Sequence, residues 1–416
     1  MQIKLSSFDK ACLDGAHGEA CRYAMEILLA VGRASGAIEL MDIEQAHLVG
    51  SYESGPANLK FLDAMLERGA QVRVPTTLNA SSACLSADSP SADVEVCGAR
   101  EVVERYQAMG CETTLTCAPY HLPSSPRFGE AIAWAESNAV AYANSVIGAR
   151  TNKTPQYLDL CAAICGRIPA SGLYLEENRF AQLVIDCSGV TTKRWQNPFS
   201  YQLLGLLIGA LAQSQLPVLT GIPTAVDEDD LRAIGAGGAS SGNVAMFHVE
   251  GRTPEAPDLK TTLGGIDPEK VCVVTDADFD RLRDQYGVAE GAPVSAVCLG
   301  TPHFSYREFK LLLKELNTGE RDFLVPMYVT TSRHVKAKLE RELQLAELVA
   351  RGVQVVTDSC SYYGHVVPGL EGTVMTNSSK WAFYGSGNLE ISTCLASLED
   401  CVATARRGKI SRRGAA

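Results

Sequence analysis

Short apolar runs recur along the chain, and each lies beside a stretch whose apolar residues repeat at helical spacing. The clearest runs are residues 71–74, 183–185, 271–274, 296–299, 323–329 and 353–356. Runs of this length are typical of strands that are buried on both faces, because such strands need apolar side chains on both sides. Their alternation with helical patterns predicts an α/β protein with mostly parallel sheets.

The best-defined junction between a strand and a helix follows residues 296–299. Ser305 and Glu308 have the spacing of a capping box, and Phe304 with Phe309 has the spacing of a hydrophobic staple. We therefore predict a helix that begins at Ser305 and ends near residue 319. Ligands in open α/β sheets collect beyond the carboxyl ends of the strands, so residues 301–303 are predicted to belong to a site.

Two of the fourteen cysteines occupy a similar position after a strand. Cys117 follows the strand-like residues 111–115, and Cys360 follows residues 353–356 after a three-residue link. A single cysteine is most often a buried apolar side chain, and the sequence contains no Cys-x-x-Cys pair. A cysteine that leaves a strand for a loop nevertheless has the geometry of a thiolate ligand. Cys117 and Cys360 are therefore candidate metal ligands.

Several polar segments allow two interpretations. The glycine-rich residues 235–242 look like a phosphate loop but lack its Gly-Lys-Ser/Thr ending, so they give little support to nucleotide binding. Residues 75–79, 136–140 and 371–380 hold polar donors, and the last of them ends in Lys380. The same residues are compatible with ordinary helix capping and turns. Spacing alone leaves a site and a structural role open.

Composition narrows the classes of partner. The 37 basic and 48 acidic residues give a net charge of −11, which disfavours a nucleic-acid or anionic-membrane surface. The most apolar stretch, residues 203–212, is about half the ~20 residues that a membrane span needs, and it is predicted to be a buried helix. The first residues lack the pattern of a secretory signal, and the dispersed cysteines favour a reducing compartment. We expect a cytoplasmic protein.

A chain of 416 residues with 46% hydrophobic content is long enough to form two or three domains. We predict α/β domains over residues 1–125, 126–265 and 266–404. Residues 405–416 are rich in arginine and lysine and are predicted to form a solvated basic tail.

Short segments distributed over nearly the whole chain match the motifs of one family. They are residues 46–50 (Ala-His-Leu-Val-Gly), 74–79 (Val-Pro-Thr-Thr-Leu-Asn), 116–120 (Thr-Cys-Ala-Pro-Tyr), 136–140 (Glu-Ser-Asn-Ala-Val), 144–152, 247–256, 301–305 (Thr-Pro-His-Phe-Ser) and 375–380 (Met-Thr-Asn-Ser-Ser-Lys). On these segments the chain resembles the large subunit of aconitase X, also called the phosphomevalonate dehydratase large-subunit-like family. The resemblance implies an aconitase-like body in which α/β domains surround a central iron–sulfur site.

In that family pattern, Cys117 and Cys360 match two ligands of the cluster. Relatives that use phosphomevalonate have Gly-Cys-Pro-His where this chain has Gly300-Thr301-Pro302-His303, so the third thiolate is missing at Thr301. Cys298 is close in sequence, but strand alternation places it on the same face as Gly300, which makes it an uncertain substitute. The resemblance therefore implies a smaller or differently ligated cluster, with [2Fe-2S] favoured and the third ligand open between Cys298 and Thr301.

The resemblance also implies which residues contact the substrate. These residues are Gly50, Ser51, Asn79, Glu136, Ser137, Asn377, Ser379 and Lys380. Glu136, Lys380 and His303 are the expected catalytic residues. Lys380 is expected to bind a substrate carboxylate, and Glu136 to meet an ammonium group or orient the hydroxyl. Around Gly50 the chain is one residue shorter than the family pattern.

The Thr-Pro-His form is similar to the bacterial branch that dehydrates cis-3-hydroxy-L-proline. We therefore expect a hydro-lyase that forms pyrroline-2-carboxylate. In this family the base is a serine on a small swivelling domain, which is a separate subunit or a fused extension, and we expect a small partner subunit here. One alternative is a large subunit of a mevalonate 5-phosphate dehydratase. A second is a non-catalytic ligand-binding or scaffold protein with the same fold.

Overall fold

The structure is a computed structural model that describes residues 3–52, 55–85, 94–318, 322–364, 366–367 and 369–412. Helices alternate with strands throughout these residues. The strands form sheets of three, four and five strands, in which every pairing is parallel, and one antiparallel two-stranded sheet. The predicted α/β class with mostly parallel sheets is confirmed.

The first α/β unit is built around the three-stranded sheet, in the order β3-β2-β4. Its elements are α1 (Ser7–Leu13), α2 (Glu19–Ala34), β1 (Leu40–Asp42), β2 (Gln45–Leu48), α3 (Pro56–Glu67), β3 (Thr76–Leu78), α4 (Val94–Ala108), β4 (Ile132–Trp134), α5 (Ser137–Tyr142), α6 (Leu158–Cys165) and β5 (Arg167–Pro169). Ala46 in β2 pairs with Thr76 on one side and with Ala133 on the other. The sheet therefore extends across residue 125, where the sequence predicted a domain boundary.

The second unit contains the four-stranded sheet, in the order β8-β7-β6-β9. Its elements are β6 (Leu183–Gly189), α7 (Thr192–Trp195), α8 (Phe199–Ala212), β7 (Pro217–Thr220), α9 (Glu228–Gly242), β8 (His248–Val249), α10 (Leu259–Thr262), β9 (Lys270–Thr275) and α11 (Asp276–Gln285). β9 pairs with β6, so this sheet extends beyond the boundary predicted at residue 265.

The third unit contains the five-stranded sheet, in the order β12-β11-β10-β13-β14. Its elements are β10 (Ala296–Leu299), α12 (Tyr306–Leu316), β11 (Met327–Thr330), α13 (Arg333–Arg341), α14 (Gln344–Ala350), β12 (Val353–Val356), β13 (Thr373–Thr376), α15 (Ser379–Leu389), β14 (Ser392–Leu395) and α16 (Leu398–Arg407). The capping box of Ser305 and Glu308 is present at the start of α12, as the sequence predicted.

Several local predictions differ from the structure. Residues 71–74 are not a strand, because β3 begins at Thr76, and the run 323–329 is a strand only from Met327. Residues 235–242 lie within α9, because a capping box of Asp227 and Asp230 starts a helix that includes the glycines. Residues 111–115 contribute a single bridge between Glu112 and Thr77 instead of a strand. The predicted basic tail, residues 405–416, is wrong for residues 405–412, because α16 continues to Arg407 and Ile410 is buried; residues 413–416 lie outside the described residues. Among the described residues, no helix is both long enough and apolar enough to cross a bilayer.

Glycines allow α8 and α9 to pack at very short range. A Cβ atom on Gly205 of α8 would lie 2.9 Å from the carbonyl oxygens of Ala233 and Ile234 in α9. A Cβ atom on Gly242 of α9 would lie only 1.9 Å from the carbonyl oxygen of Gly209. The two backbones therefore leave no room for side chains along this contact, which explains the glycines that the sequence analysis compared with a phosphate loop.

Replacing Gly205 by alanine is expected to destabilise the second unit. The added methyl group meets backbone atoms that cannot rotate away, and overpacking of this kind costs about 1–3 kcal/mol. Urea unfolding followed by circular dichroism measures the effect. Gly387→Ala in α15 is the matched control, because a Cβ atom there would meet nothing within 4 Å. Equal stability of the two variants would contradict the close packing of α8 and α9.

Candidate functional site

Three loops of the first unit start at the carboxyl ends of neighbouring parallel strands. Gly50 and Ser51 follow β2, Asn79 follows β3, and Glu136 follows β4. Because β3, β2 and β4 are parallel and adjacent, these loops leave the same edge of the sheet. Four of the residues that the sequence predicted for substrate binding therefore lie at one edge.

The third unit contributes its own loops in the same way. His303 lies four residues beyond the end of β10, and Cys360 lies four residues beyond the end of β12. Lys380 is the second residue of α15, which begins shortly after β13. Because β10, β12 and β13 are parallel strands of one sheet, these loops leave the same edge. That edge meets the loops of the first unit, as the parallel bridge between Ser81 and Ser359 shows.

Cys117 and Cys360 form a buried thiol pair. Their Sγ atoms lie 3.7 Å apart, and both side chains are buried. Together with one ring nitrogen of His303 they place three potential metal-binding atoms within 4.8 Å of one another. Cysteines that are 243 residues apart in sequence thus share one position, as the family resemblance implied.

The two thiols differ in acidity. Burial raises the pKa of Cys117 well above its usual range. The hydrogen bond from the Cys117 thiol lowers the pKa of Cys360 against the effect of burial, and the Lys380 ammonium acts in the same direction. The backbone N–H of His303 also donates to the Cys117 sulfur at 3.2 Å. Hydrogen bonds and a nearby positive charge are the features that favour a thiolate over a thiol.

The His303 ring is held by hydrogen bonds at both nitrogens. Nε2 lies 3.0 Å from the Ser359 carbonyl oxygen, which can only accept, so Nε2 carries the proton. Nδ1 lies 3.1 Å from the Thr116 hydroxyl oxygen. That oxygen already accepts from the Ala118 N–H, so its own hydrogen is free to point at Nδ1. His303 is therefore fixed in one orientation between the first and third units.

Thr301 presents an unpartnered hydroxyl beside the thiol pair. Its side chain is 2% exposed, and within the part of the chain that the structure describes its Oγ1 atom has no hydrogen bond of good geometry. The same hydroxyl is close enough to help lower the pKa of Cys360. Cys298 packs in the same apolar cluster as Cys117 and Cys360, but its thiol interacts with Ser361. A buried polar atom without a partner, next to two thiols, fits a site that holds a metal group.

A buried ion pair lies beside the thiols. Lys380 Nζ contacts Glu136 Oε1, although the lysine side chain is only 2% exposed. Glu136 also accepts from Asn138 Nδ2 at 2.7 Å and from Asn79 Nδ2 at 3.1 Å. Burial opposes ionisation of Glu136, but the Lys380 charge and the hydrogen bonds from Lys380 and Asn138 lower the pKa of Glu136 to about 2. The same pairing raises the pKa of Lys380. Both groups are charged at neutral pH.

The loop after β2 packs closely against the loop after β3. A Cβ atom on Gly50 would lie 2.6 Å from the Asn79 carbonyl oxygen, so only glycine fits there. Asp159 also fixes this loop, because its Oδ2 atom accepts a hydrogen bond from the Val49 N–H at 3.0 Å. Ser51 is 3% exposed, and its hydroxyl has no partner in the described residues. It is a second buried donor that is available to a ligand.

The remaining predicted residues have other contacts. Ser137 Oγ donates to Glu136 at 3.3 Å. The Ser379 backbone N–H and hydroxyl both bond to Gln202 of α8, at 3.0 and 2.9 Å. Asn377 lines a cavity of about 330 Å³ between the second and third units, together with Gln202. Ser379 thus contacts the second unit, and Asn377 lines the cavity beside it.

Sequence reasoning missed three supporting residues. Asn138 links Glu136 to the Cys117 carbonyl oxygen, which its Nδ2 atom reaches at 3.0 Å. Arg232 of α9 donates to the His303 carbonyl oxygen at 2.8 Å, and Thr116 holds the ring. Asn138 and Thr116 lie within the motifs that carried the resemblance, so the signal was present. Arg232 is far away in sequence and had no such signal.

Fold and site together define an α/β protein with a buried two-thiol centre beside a charged pocket, and comparison with known proteins identifies its family. Family models for the first, second and third domains of aconitase X match residues 2–177, 181–284 and 294–407. The chain therefore belongs to the aconitase X family. These models divide it near residues 180 and 290, whereas the sequence predicted 125 and 265.

Individual relatives agree with this assignment. The chain is 40% identical to a cis-3-hydroxy-L-proline dehydratase from Pseudomonas aeruginosa, over 98% of this chain and 70% of that protein. It is 34% identical to a phosphomevalonate dehydratase large subunit from Thermococcus kodakarensis, over 91% and 94% of the two chains. A crystal structure of Thermococcus kodakaraensis aconitase X in its holo-form superposes with a TM-score of 0.86, at 32% identity, over 97% of this chain and all of that chain.

Separating the charges of Lys380 and Glu136 is expected to cost more than removing both. Lys380→Met leaves a buried carboxylate unpaired, which typically costs about 3–5 kcal/mol. Adding Glu136→Gln removes that charge, so the double variant should be more stable than the sum of the two single losses predicts. Urea unfolding of the four proteins measures the coupling. Additive losses would show that the two groups do not interact.

The stability that depends on Glu136 is expected to vanish in acid. The pKa of this carboxyl falls from an ordinary value of 4.5 to about 2 in the folded protein. A lowered folded pKa stabilises the fold above the ordinary value, and this contribution is lost as the pH falls through the folded value. The stability difference between the wild type and Glu136→Gln should therefore be constant near pH 7 and shrink between pH 4.5 and 2. A difference that did not change over this range would contradict the lowered pKa.

Proposed function

We propose that this chain is the large component of an iron–sulfur hydro-lyase that converts cis-3-hydroxy-L-proline to pyrroline-2-carboxylate. The observation that carries the proposal is the buried Cys117–Cys360 pair beside the Lys380–Glu136 ion pair. A dehydratase for such a substrate needs a centre that assists a poor leaving group and a pocket that binds a charged acid. The likeness to the dehydratases of cis-3-hydroxy-L-proline supports the choice of substrate.

The residues present fit an iron–sulfur cluster. Cys117 and Cys360 would hold it through their thiolates, and the unpartnered Thr301 hydroxyl is our candidate for the third position in preference to Cys298. When bound, the cluster would supply the Lewis acidity that assists departure of a hydroxyl group. His303 then acts as a positioning residue, because both ring nitrogens are hydrogen-bonded and its backbone N–H supports Cys117.

The ion pair suits a zwitterion. The substrate carries a carboxylate and a ring ammonium, so Lys380 binds the former and Glu136 binds the latter, each replacing the partner it has in the free protein. Positive and negative charge then remain balanced in the buried pocket, which limits the cost of desolvation. A phosphate ester has no ammonium group. It would therefore add negative charge beside Lys380 and Glu136 without supplying a cation to pair with the Glu136 carboxylate. Gly50 and Ser51 close the pocket from the β2 side.

The α-proton and the leaving group take separate paths. The proton at the carbon that bears the carboxylate goes to a base, and the hydroxyl of the neighbouring carbon leaves with its bonding pair, so that water is the second product. We assign the base to a serine of a small swivelling partner. The relative from Thermococcus kodakarensis is named a large subunit, which supports a small partner for this chain.

The function is tested by purifying the chain anaerobically together with a small swivelling-domain protein and offering it two substrates. We expect turnover of cis-3-hydroxy-L-proline, which is measured by the formation of pyrroline-2-carboxylate. We expect no turnover of mevalonate 5-phosphate. The reverse preference would replace the proposal by a phosphomevalonate dehydratase large subunit, a function that the 34% identity to such a protein supports. Iron-loaded protein that turns over neither compound would favour a non-catalytic relative.

Loss of one thiol is expected to remove iron and activity together. Cys360→Ser leaves Cys117 without its partner, and a serine hydroxyl binds iron weakly at neutral pH compared with a thiolate. Iron content and dehydration rate of the same anaerobic sample are the measurements. Cys272→Ser on the edge strand β9 is the matched control and should retain both. Normal iron with normal turnover in Cys360→Ser would refute the ligand assignment.

Restoring the thiol that is missing at residue 301 is expected to change the cluster. Thr301→Cys places a third sulfur beside Cys117 and Cys360, so we expect more iron per chain and an altered visible spectrum. Thr301→Ser keeps the hydroxyl and serves as the control, which should resemble the wild type. If Thr301→Cys and the wild type had the same iron content and spectrum, residue 301 would not face the cluster.

A further inference from the structure

A second group of thiols lies in the first unit, away from the site described above. Cys12 of α1, Cys21 of α2 and Cys165 of α6 are all buried. The Sγ atoms of Cys21 and Cys165 are 3.9 Å apart, and the Cys165 thiol also lies 3.6 Å from the Cys21 carbonyl oxygen. These residues are 144 positions apart in sequence, so the pairing is made by the packing of α2 against α6.

The two sulfurs of this pair have different surroundings. Cys21 is the third residue of α2, where the N–H groups of the first turn favour negative charge. The hydrogen bond with Cys165 lowers the pKa of Cys21 to about 6 against the effect of burial, with help from Cys12, His17 and Arg73. The same hydrogen bond raises the pKa of Cys165, so this residue stays a thiol. The pair therefore brings a thiol of lowered pKa, Cys21, into contact with a thiol of raised pKa, Cys165.

We propose that Cys21 and Cys165 are a peroxide-responsive dithiol that closes reversibly to a disulfide. The Cys21 thiolate attacks one oxygen of a hydroperoxide, the O–O bond breaks, and hydroxide or alkoxide leaves, which gives a sulfenic acid. The Cys165 sulfur then attacks the Cys21 sulfur, the S–O bond breaks, and water leaves with the proton of Cys165. Two electrons pass from the two thiols to the peroxide, and a small dithiol reverses the change.

The position of Cys165 connects this pair to the site. Cys165 is the last residue of α6, which has eight residues and is about 12 Å long. Near the other end of the same helix, Asp159 holds the Val49 N–H and thereby the loop with Gly50 and Ser51. Drawing Cys165 towards α2 pulls on a short, rigid helix whose first turn supports that loop. Oxidation of the dithiol is therefore expected to loosen the Val49–Asp159 bond.

The disulfide is tested on the reconstituted protein by adding hydrogen peroxide in small steps and mapping peptides under non-reducing conditions. We expect a linked peptide pair that contains Cys21 and Cys165 before the other buried cysteines react, and its loss after addition of dithiothreitol. Cys165→Ser should instead accumulate a sulfenic acid at Cys21 that a dimedone probe captures. Cys161→Ser, one turn earlier on α6, is the matched control and should form the disulfide normally.

Each outcome decides the proposal independently of catalysis, because the readout is the linked peptide. A disulfide that appears only after the protein unfolds would overturn it, as would sulfenic acid at Cys165 in place of Cys21. Hydrogen exchange of the Val49 amide, compared between reduced and oxidised protein, tests the connection to the site. Faster exchange after oxidation is expected, and unchanged exchange would reject that connection.

Discussion

The ion pair between Lys380 and Glu136 is the interaction on which the site depends, because the Lys380 side chain is only 2% exposed and that of Glu136 only 13%. Burying an unpaired charge costs desolvation free energy, so each group needs hydrogen-bond partners in addition to the opposite charge. Asn79 and Asn138 supply them for Glu136, and both follow strands of the first unit. Lys380 comes from the third unit. The pair therefore requires that the carboxyl ends of two separate parallel sheets face each other.

The same constraint fixes the thiols. Cys117 belongs to the first unit and Cys360 to the third, and their sulfurs meet because Ser359 and Thr116 clamp the His303 ring between the two. Each of these hydrogen bonds joins one loop to another rather than strand to strand. Positioning therefore comes from loops held by rigid sheets, an arrangement that suits binding and chemistry at the edge of an α/β fold.

Sequence patterns predicted the parts of the fold that depend on local chemistry. Residues 296–299 and 353–356 are the strands β10 and β12, and the capping box at Ser305 starts α12. Sequence patterns did not predict features that depend on contacts between residues far apart in the sequence. Residues 235–242 have turn-like composition, yet their small size serves the close approach of α8 and α9. Motif likeness supplied the site residues, but the role of Arg232 could not be predicted, because it depends on a contact between separate units.

The central claim is that Cys117 and Cys360 hold the iron of one cluster beside the ion pair. Anomalous X-ray diffraction at the iron edge, on crystals of anaerobically reconstituted protein, tests it most directly. The account predicts an anomalous peak within bonding distance of both sulfurs and beside the Thr301 side chain. Iron density elsewhere in the chain, or reconstituted protein with no iron peak between the two cysteines, would contradict it.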